Sequence, residues 1–317
     1  MKRFLSRVLP LLLSFGLIFN CTGCSTVLVL AGKARENSEA SSSVISESSA
    51  SSGVISTPVP TEDGDLRAFY TDVANAESVT VMVYMIGSDL ESEDGSATDD
   101  LLEMANAALS ENVHLVLQTG GTETWWNDVC TDDESERFVI ENGDMTLLQS
   151  LGSVNMTDAD TLSDFIRFSA ESYPADRYEL ILWDHGGGTM TGFGYDELYE
   201  DTSLTLSSLS TALYNGGVQF DFIGFDACLM ATAEVAYALD PYADYLIASE
   251  ESEPGEGWAY KNWLTMLAED PAVPTAELGK KLADDFLEAY IFADMPTLSV
   301  LDLRYVPELY AALESYW

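Results

Sequence analysis

Beyond residue 65 the chain alternates short unbroken apolar runs with longer stretches in which apolar residues recur every three or four positions. This alternation predicts strands and helices in turn. The runs are VTVMVYMI (79–86), VHLVLQT (113–119), YELILWD (178–184), FDFIGFD (220–226), DYLIAS (244–249) and the segment 298–303. Helical periodicity covers 97–109, 158–172, 205–213, 228–239 and 275–290, and begins again at 306. A small hairpin turned at Asn142-Gly143 is expected over 137–151. The runs are rich in Val, Ile and Leu and have no polar face, so each strand must be covered on both sides. The expected class is therefore α/β: a mainly parallel sheet of about six strands with helices on both faces, plus the hairpin. No internal repeat of solenoid length is present. In such a sheet, functional groups gather at the carboxyl ends of the strands.

The amino-terminal pattern is different. Residues 1–7, MKRFLSR, are basic, and no charge follows from Val8 to Gly32, with a dense apolar stretch through Leu11, Phe15, Leu17 and Phe19. That is the pattern of an export signal. The run Cys21-Thr22-Gly23-Cys24 resembles a bacterial lipobox, with Cys24 as the residue to be lipidated, although Cys21 stands where Leu is usual. The rival is an uncleaved anchor, since the uncharged stretch exceeds the about 20 residues that a spanning helix needs. Either way the remainder is placed outside the cytoplasm and at the membrane. From 38 to 56, ten of nineteen residues are serine, with no apolar periodicity, which reads as an unstructured tether. The expected organisation is a signal segment (1–24), a tether (25–65) and a globular body (66–317). The chain stops soon after a strand, leaving room for a truncated carboxyl terminus.

Composition narrows the choice of partners. Thirteen Lys and Arg face 54 Asp and Glu, a formal net charge of −41, and three of the basic residues lie in the leader. A field of that sign repels phosphate backbones, so nucleic acid is a poor partner, while cationic peptides and metal cations are attracted. Only Cys130 and Cys228 lie in the body, too few for a disulfide framework, so the fold must rest on its core.

Two residues stand out at strand ends. His114 falls within a strand and reads as structural, whereas His185 follows the strand 178–184 directly and precedes three glycines. A sharp turn there exposes an imidazole, the side chain whose ordinary pKa lies nearest neutrality. Cys228 occupies the matching position one crossover later, at the expected start of a helix whose amino terminus would favour a thiolate. On spacing alone a buried, inert cysteine remains equally open.

At these residues the sequence resembles the clostripain family of cysteine peptidases, relatives of caspases, gingipains and legumains. The run Tyr84-Met85-Ile86-Gly87-Ser88-Asp89-Leu90-Glu91-Ser92 is similar to that family's amino-terminal signature. Leu182-Trp183-Asp184-His185-Gly186 resembles its histidine motif, and DFIGFDACLM (221–230) its cysteine motif. The stretch 248–258 resembles its downstream loop. The resemblance implies a caspase-like three-layer fold and an endopeptidase acting through a Cys228/His185 dyad and a thioester. It also implies an oxyanion site from the backbone N–H groups of Gly186 and Cys228. No cofactor is required.

Many relatives cut after Arg or Lys, and the resemblance then assigns Asp226 and Glu256 to the pocket for the basic side chain. Glu256 departs from the Asp expected there, and Asp226 has an alternative structural reading, tied to nearby amides. From Tyr178 to Tyr260 there is no Lys or Arg, so a basic-specific enzyme cannot process itself in that stretch. The family brings calcium into consideration, but the sequence holds no EF-hand or other dedicated loop. The competing function is a surface binding module that keeps the fold without turnover. A serine hydrolase is disfavoured by the absence of G-x-S-x-G, and a zinc enzyme by the scarcity of histidine.

Overall fold

The computed structural model describes residues 69–199, 202–290 and 296–316. The signal segment, the tether and Cys24 lie outside the described residues. Eight strands form one sheet: β1 (Val79–Ile86), β2 (Val113–Gly120), β3 (Ser135–Glu141), β4 (Asp144–Gly152), β5 (Arg177–Trp183), β6 (Phe220–Asp226), β7 (Ala243–Ala248) and β8 (Ser299–Asp302). Their order is β4-β3-β2-β1-β5-β6-β7-β8. The strands from β2 through β1, β5 and β6 to β7 are parallel, while β3, β4 and β8 run antiparallel at the edges. The hairpin is thus part of the sheet, with Leu115 to Thr119 of β2 paired to Ile140 to Glu136 of β3.

Strand periodicity divides the core in two. Val79, Val81, Val83 and Met85 of β1 enter one apolar cluster, while Met82, Tyr84 and Ile86 enter the other. The first face is covered by α2 (Ser96–Ala105), α7 (Tyr260–Glu269) and α8 (Thr275–Ala289). The second is covered by α3 (Ala159–Ser172), α5 (Leu206–Gly216), α6 (Ala233–Leu239) and α9 (Val306–Tyr316). Each helix presents apolar residues at three- and four-residue spacing; α3, for instance, buries Leu162, Phe165 and Ile166. Each fully buried side chain of this kind stabilises by about 1.5 to 3 kcal/mol. Two short helices, α1 (Ser88–Ser92) and α4 (Gly188–Thr191), follow β1 and the histidine turn.

At the amino end of β5, away from the strand ends that carry His185 and Cys228, Arg177 is fully buried. It donates to Glu179, to Asp221 and to the carbonyls of Pro271 and Val273. Thr275 adds a hydroxyl bond of 2.6 Å to Asp221. This network ties β5, β6 and the start of α8 together. Burial pushes Glu179 up to about 8 in spite of the guanidinium beside it.

Two elements differ from the sequence reading. The helix expected from Cys228 begins only at Ala233, with the Thr232 hydroxyl accepting from the Val235 N–H as its cap. The reason is tertiary: the N–H groups of Leu229 and Ala231 donate instead to the carbonyls of Glu251 and Ser249 in the loop after β7. The helix α7 was not anticipated, although Tyr260, Trp263, Leu264 and Leu267 repeat with helical spacing and are buried.

Candidate active site

The chain leaves β5 through Asp184 and turns at His185, whose carbonyl accepts from the Gly194 N–H at 2.9 Å. A bridge from Gly186 to Phe193, and from Phe193 to Leu204, fixes this loop on the sheet edge. The imidazole Nε2 lies 2.7 Å from Oδ1 of Asp89, which α1 brings in from the end of β1. Both side chains are about half exposed, so their attraction is screened by water and acts mainly to orient the ring. Sequence reasoning placed Asp89 within a motif without giving it a role.

Beyond β6, Cys228 sits in an irregular turn. Leu229 takes a φ of 66°, a left-handed conformation that costs a non-glycine residue on the order of 1 kcal/mol or more. The expected help from a helix amino terminus is therefore absent. In its place, the backbone N–H of Glu253 donates to the Cys228 sulfur at 3.2 Å. The histidine turn and the cysteine turn are in direct contact: a Cβ on Gly186 would lie 2.0 Å from the Cys228 carbonyl oxygen. Only glycine permits that approach. Within the described residues, neither the Gly186 nor the Cys228 amide N–H donates a hydrogen bond to the backbone.

His185 and Cys228 line one cleft of about 470 Å³, together with Trp183, Asp226, Glu253 and Pro254. Asp226 is buried at its inner end, where one carboxylate oxygen accepts from the Trp258 N–H at 3.1 Å and the Tyr260 hydroxyl at 2.8 Å. Burial pushes its pKa up to about 6, against the lowering effect of these two donors. Asp100 of α2 accepts from the Trp183 indole N–H at 2.6 Å and is likewise raised, first by burial and then by the charge of Asp226. Asp184 is buried beside the histidine and accepts from the Tyr195 N–H. Desolvation pushes it up to about 7, and the neighbouring His185 pulls in the opposite direction.

Of the residues chosen from sequence, His185, Cys228 and Asp226 come together, with Gly186 packed behind them. Glu256 does not join them, being exposed and outside the cleft lining. The carboxylate that the 248–258 loop delivers there is Glu253. No signal in the sequence separates Glu253 from its acidic neighbours. His114 packs near Tyr173, their rings 5.3 Å apart, at the start of β2. Burial pushes the Cys130 thiol up to about 12, which makes it inert. Among the described residues, no three His, Cys, Asp or Glu side chains are grouped to hold a metal ion. Nor is any helix there long and apolar enough to cross a membrane.

Comparison with known proteins extends these observations. The model of the clostripain family matches residues 83–316. Clostripain from Hathewaya histolytica is 30% identical over 218 residues, which cover 58% of this chain and 41% of that protein. The chain thus spans under half the length of that curated relative. Among solved structures, an inactive zymogen C11 protease from Parabacteroides distasonis superposes with a TM-score of 0.57 at 27% identity. The match covers 75% of this chain and 65% of that one. A secreted C11 cysteine protease from Bacteroides thetaiotaomicron, bound to an irreversible peptide inhibitor, shares the fold with a TM-score of 0.61 at 23% identity. There the coverage is 74% and 68%. Because the family match runs from within β1 to the last described helix and takes in every residue of the cleft, the chain belongs to the clostripain family.

Proposed function

We propose that this chain is an exported, membrane-tethered cysteine endopeptidase that cuts peptide bonds after basic residues. The observation that carries the reading is the shared cleft, in which His185 and Cys228 stand together above the buried carboxylate of Asp226. The Cys228 thiol gives its proton to Nδ1 of His185 as the sulfur attacks the scissile carbonyl carbon, and the carbonyl oxygen gains negative charge. The amide N–H groups of Gly186 and Cys228 hold that oxygen; one such donor is worth about 3 to 4 kcal/mol of barrier in other enzymes. His185 uses Nε2 for Asp89, so Nδ1 gives its proton to the departing amine as the C–N bond breaks. Water then loses a proton to the same nitrogen and attacks the thioester, releasing the acid and regenerating the thiol.

A cationic side chain before the cut would find Asp226 at the inner end of the cleft, and pairing there selects strongly because an unpaired buried charge is costly. No resident cofactor is needed for any step. Export and anchoring are supported by the basic start, the uncharged stretch and the Cys21-Thr22-Gly23-Cys24 run, with Cys24 as the lipidated residue and 25–65 as the spacer. A thiol-directed probe bearing a peptide with Arg at its reactive end should label the protein and leave Cys228→Ala unlabelled. Cleavage of a peptide library should fall after Arg or Lys. Labelling without turnover on any peptide would favour a binding module instead.

A further inference from the structure

Glu253 lines the cleft beside the dyad and has no task in this scheme. Its backbone lies on the nucleophile, the N–H donating to the Cys228 sulfur, while its side chain turns inward. Both of its carboxyl oxygens are shielded from solvent and make no hydrogen bond of normal geometry among the described residues, although Asp226 and Trp258 lie close enough to act on the carboxyl. A buried carboxyl without good hydrogen bonds is costly, so its position calls for an explanation. Asp100 and Asp226 are different, because one oxygen of each is already engaged, by the Trp183 indole in the first and by the Trp258 amide and Tyr260 in the second. Gly257 threads between these two carboxylates; a Cβ on it would stand 3.0 Å from both. The cleft therefore holds one carboxylate for charge and one carboxyl with vacant acceptor positions.

We propose that Glu253 is a specificity-determining residue, its two open carboxyl oxygens being the acceptors for the guanidinium or ammonium group of the residue before the cut. This rests on the reading that the protein cuts after basic residues. In the free protein burial, and then the charge of Asp226, pushes the carboxyl well above the usual carboxylate range and so favours its protonated form. Entry of a cation lets the O–H bond break and the proton pass to solvent, and the new carboxylate balances the arriving charge. The other ionisable groups that act on this carboxyl are Cys228 and, from α7, Tyr260, while Asp184 and His185 line the same cleft and Asp100 and Glu103 of α2 act on its neighbours Tyr260 and Asp226. Asp226 and Cys228 oppose further negative charge there, and an arriving cation offsets that opposition.

The test uses two fluorogenic peptides identical except for Arg or citrulline before the cut, since citrulline keeps the shape and loses the charge. Wild type, Glu253→Gln and Glu253→Asp are compared by the ratio of kcat/KM for the two peptides. Using a ratio removes any effect of the loop on Cys228 itself. Glu253→Gln should lower the ratio about tenfold or more, mainly through KM for the Arg peptide, and Glu253→Asp should recover part of it. An unchanged ratio in Glu253→Gln, or an equal fall on both peptides, would overturn the assignment. A wild type that does not prefer Arg would instead sink the basic-residue reading on which the assignment rests.

Discussion

Asp89 and Asp184 show how differently two neighbouring carboxylates treat one histidine. Asp89 is half exposed and reaches the imidazole directly, so it orients the ring at small electrostatic cost. Asp184 is buried behind it, protonated near neutrality by desolvation, with Oδ1 lacking a hydrogen-bond partner among the described residues. Asp89→Asn should therefore lower kcat more than KM. The loss should be smaller than the roughly hundred- to ten-thousand-fold that proton transfer by a positioned side chain contributes. Steady-state kinetics on one good substrate checks it, and a change confined to KM would show that the ring is held by other means. His185 and Cys228 were legible in the sequence because each follows an apolar strand and its chemistry is scarce in this chain. Asp89 and Glu253 were not, because one carboxylate among 54 acidic residues carries no mark of where its loop will fold.

Strands were easier to read than the segments between them. Every apolar run became a strand within two residues or so, since a stretch buried on both faces has little other choice. The hairpin was placed by its Asn142-Gly143 turn, but its pairing with β2 depends on neighbours 17 to 25 residues away in sequence. The start of α6 was misplaced for a similar reason, as the loop after β7 takes the N–H groups that a longer helix would have left unpaired. That loop and the Thr232 cap are thus what set the end of the cysteine turn. Thr232→Ala should cost about 1 kcal/mol in urea unfolding, the usual value of a lost hydroxyl cap. A neutral result would mean that the loop contacts alone fix the boundary.

At the scale of the molecule, burial holds several carboxyls above their ordinary values: Asp226 near 6, Asp184 near 7 and Glu179 near 8. The folded state therefore binds more protons than the unfolded chain across this range. Stability contributed by such groups is fully present below their ordinary values of 3.8 to 4.5 and is lost as pH rises through 6 to 8. Mutual repulsion in a chain of net charge −41 acts in the same direction. The Tm should rise as pH is lowered from 8 to 5, and a maximum at pH 8 would contradict these assignments. The placement of the basic residues has a bearing on how such a molecule survives its own kind. Arg137, Arg167, Arg177, Lys261, Lys280, Lys281 and Arg304 all sit within strands, helices or a single helical turn, where the backbone cannot stretch out to be cut. Under the proposed preference, crowded copies would spare one another's bodies, which leaves Lys33, Arg35 and Arg67 as the basic residues beyond the leader after which a cut is expected. Under the proposed tethering, any such nick would free the enzyme from its mooring.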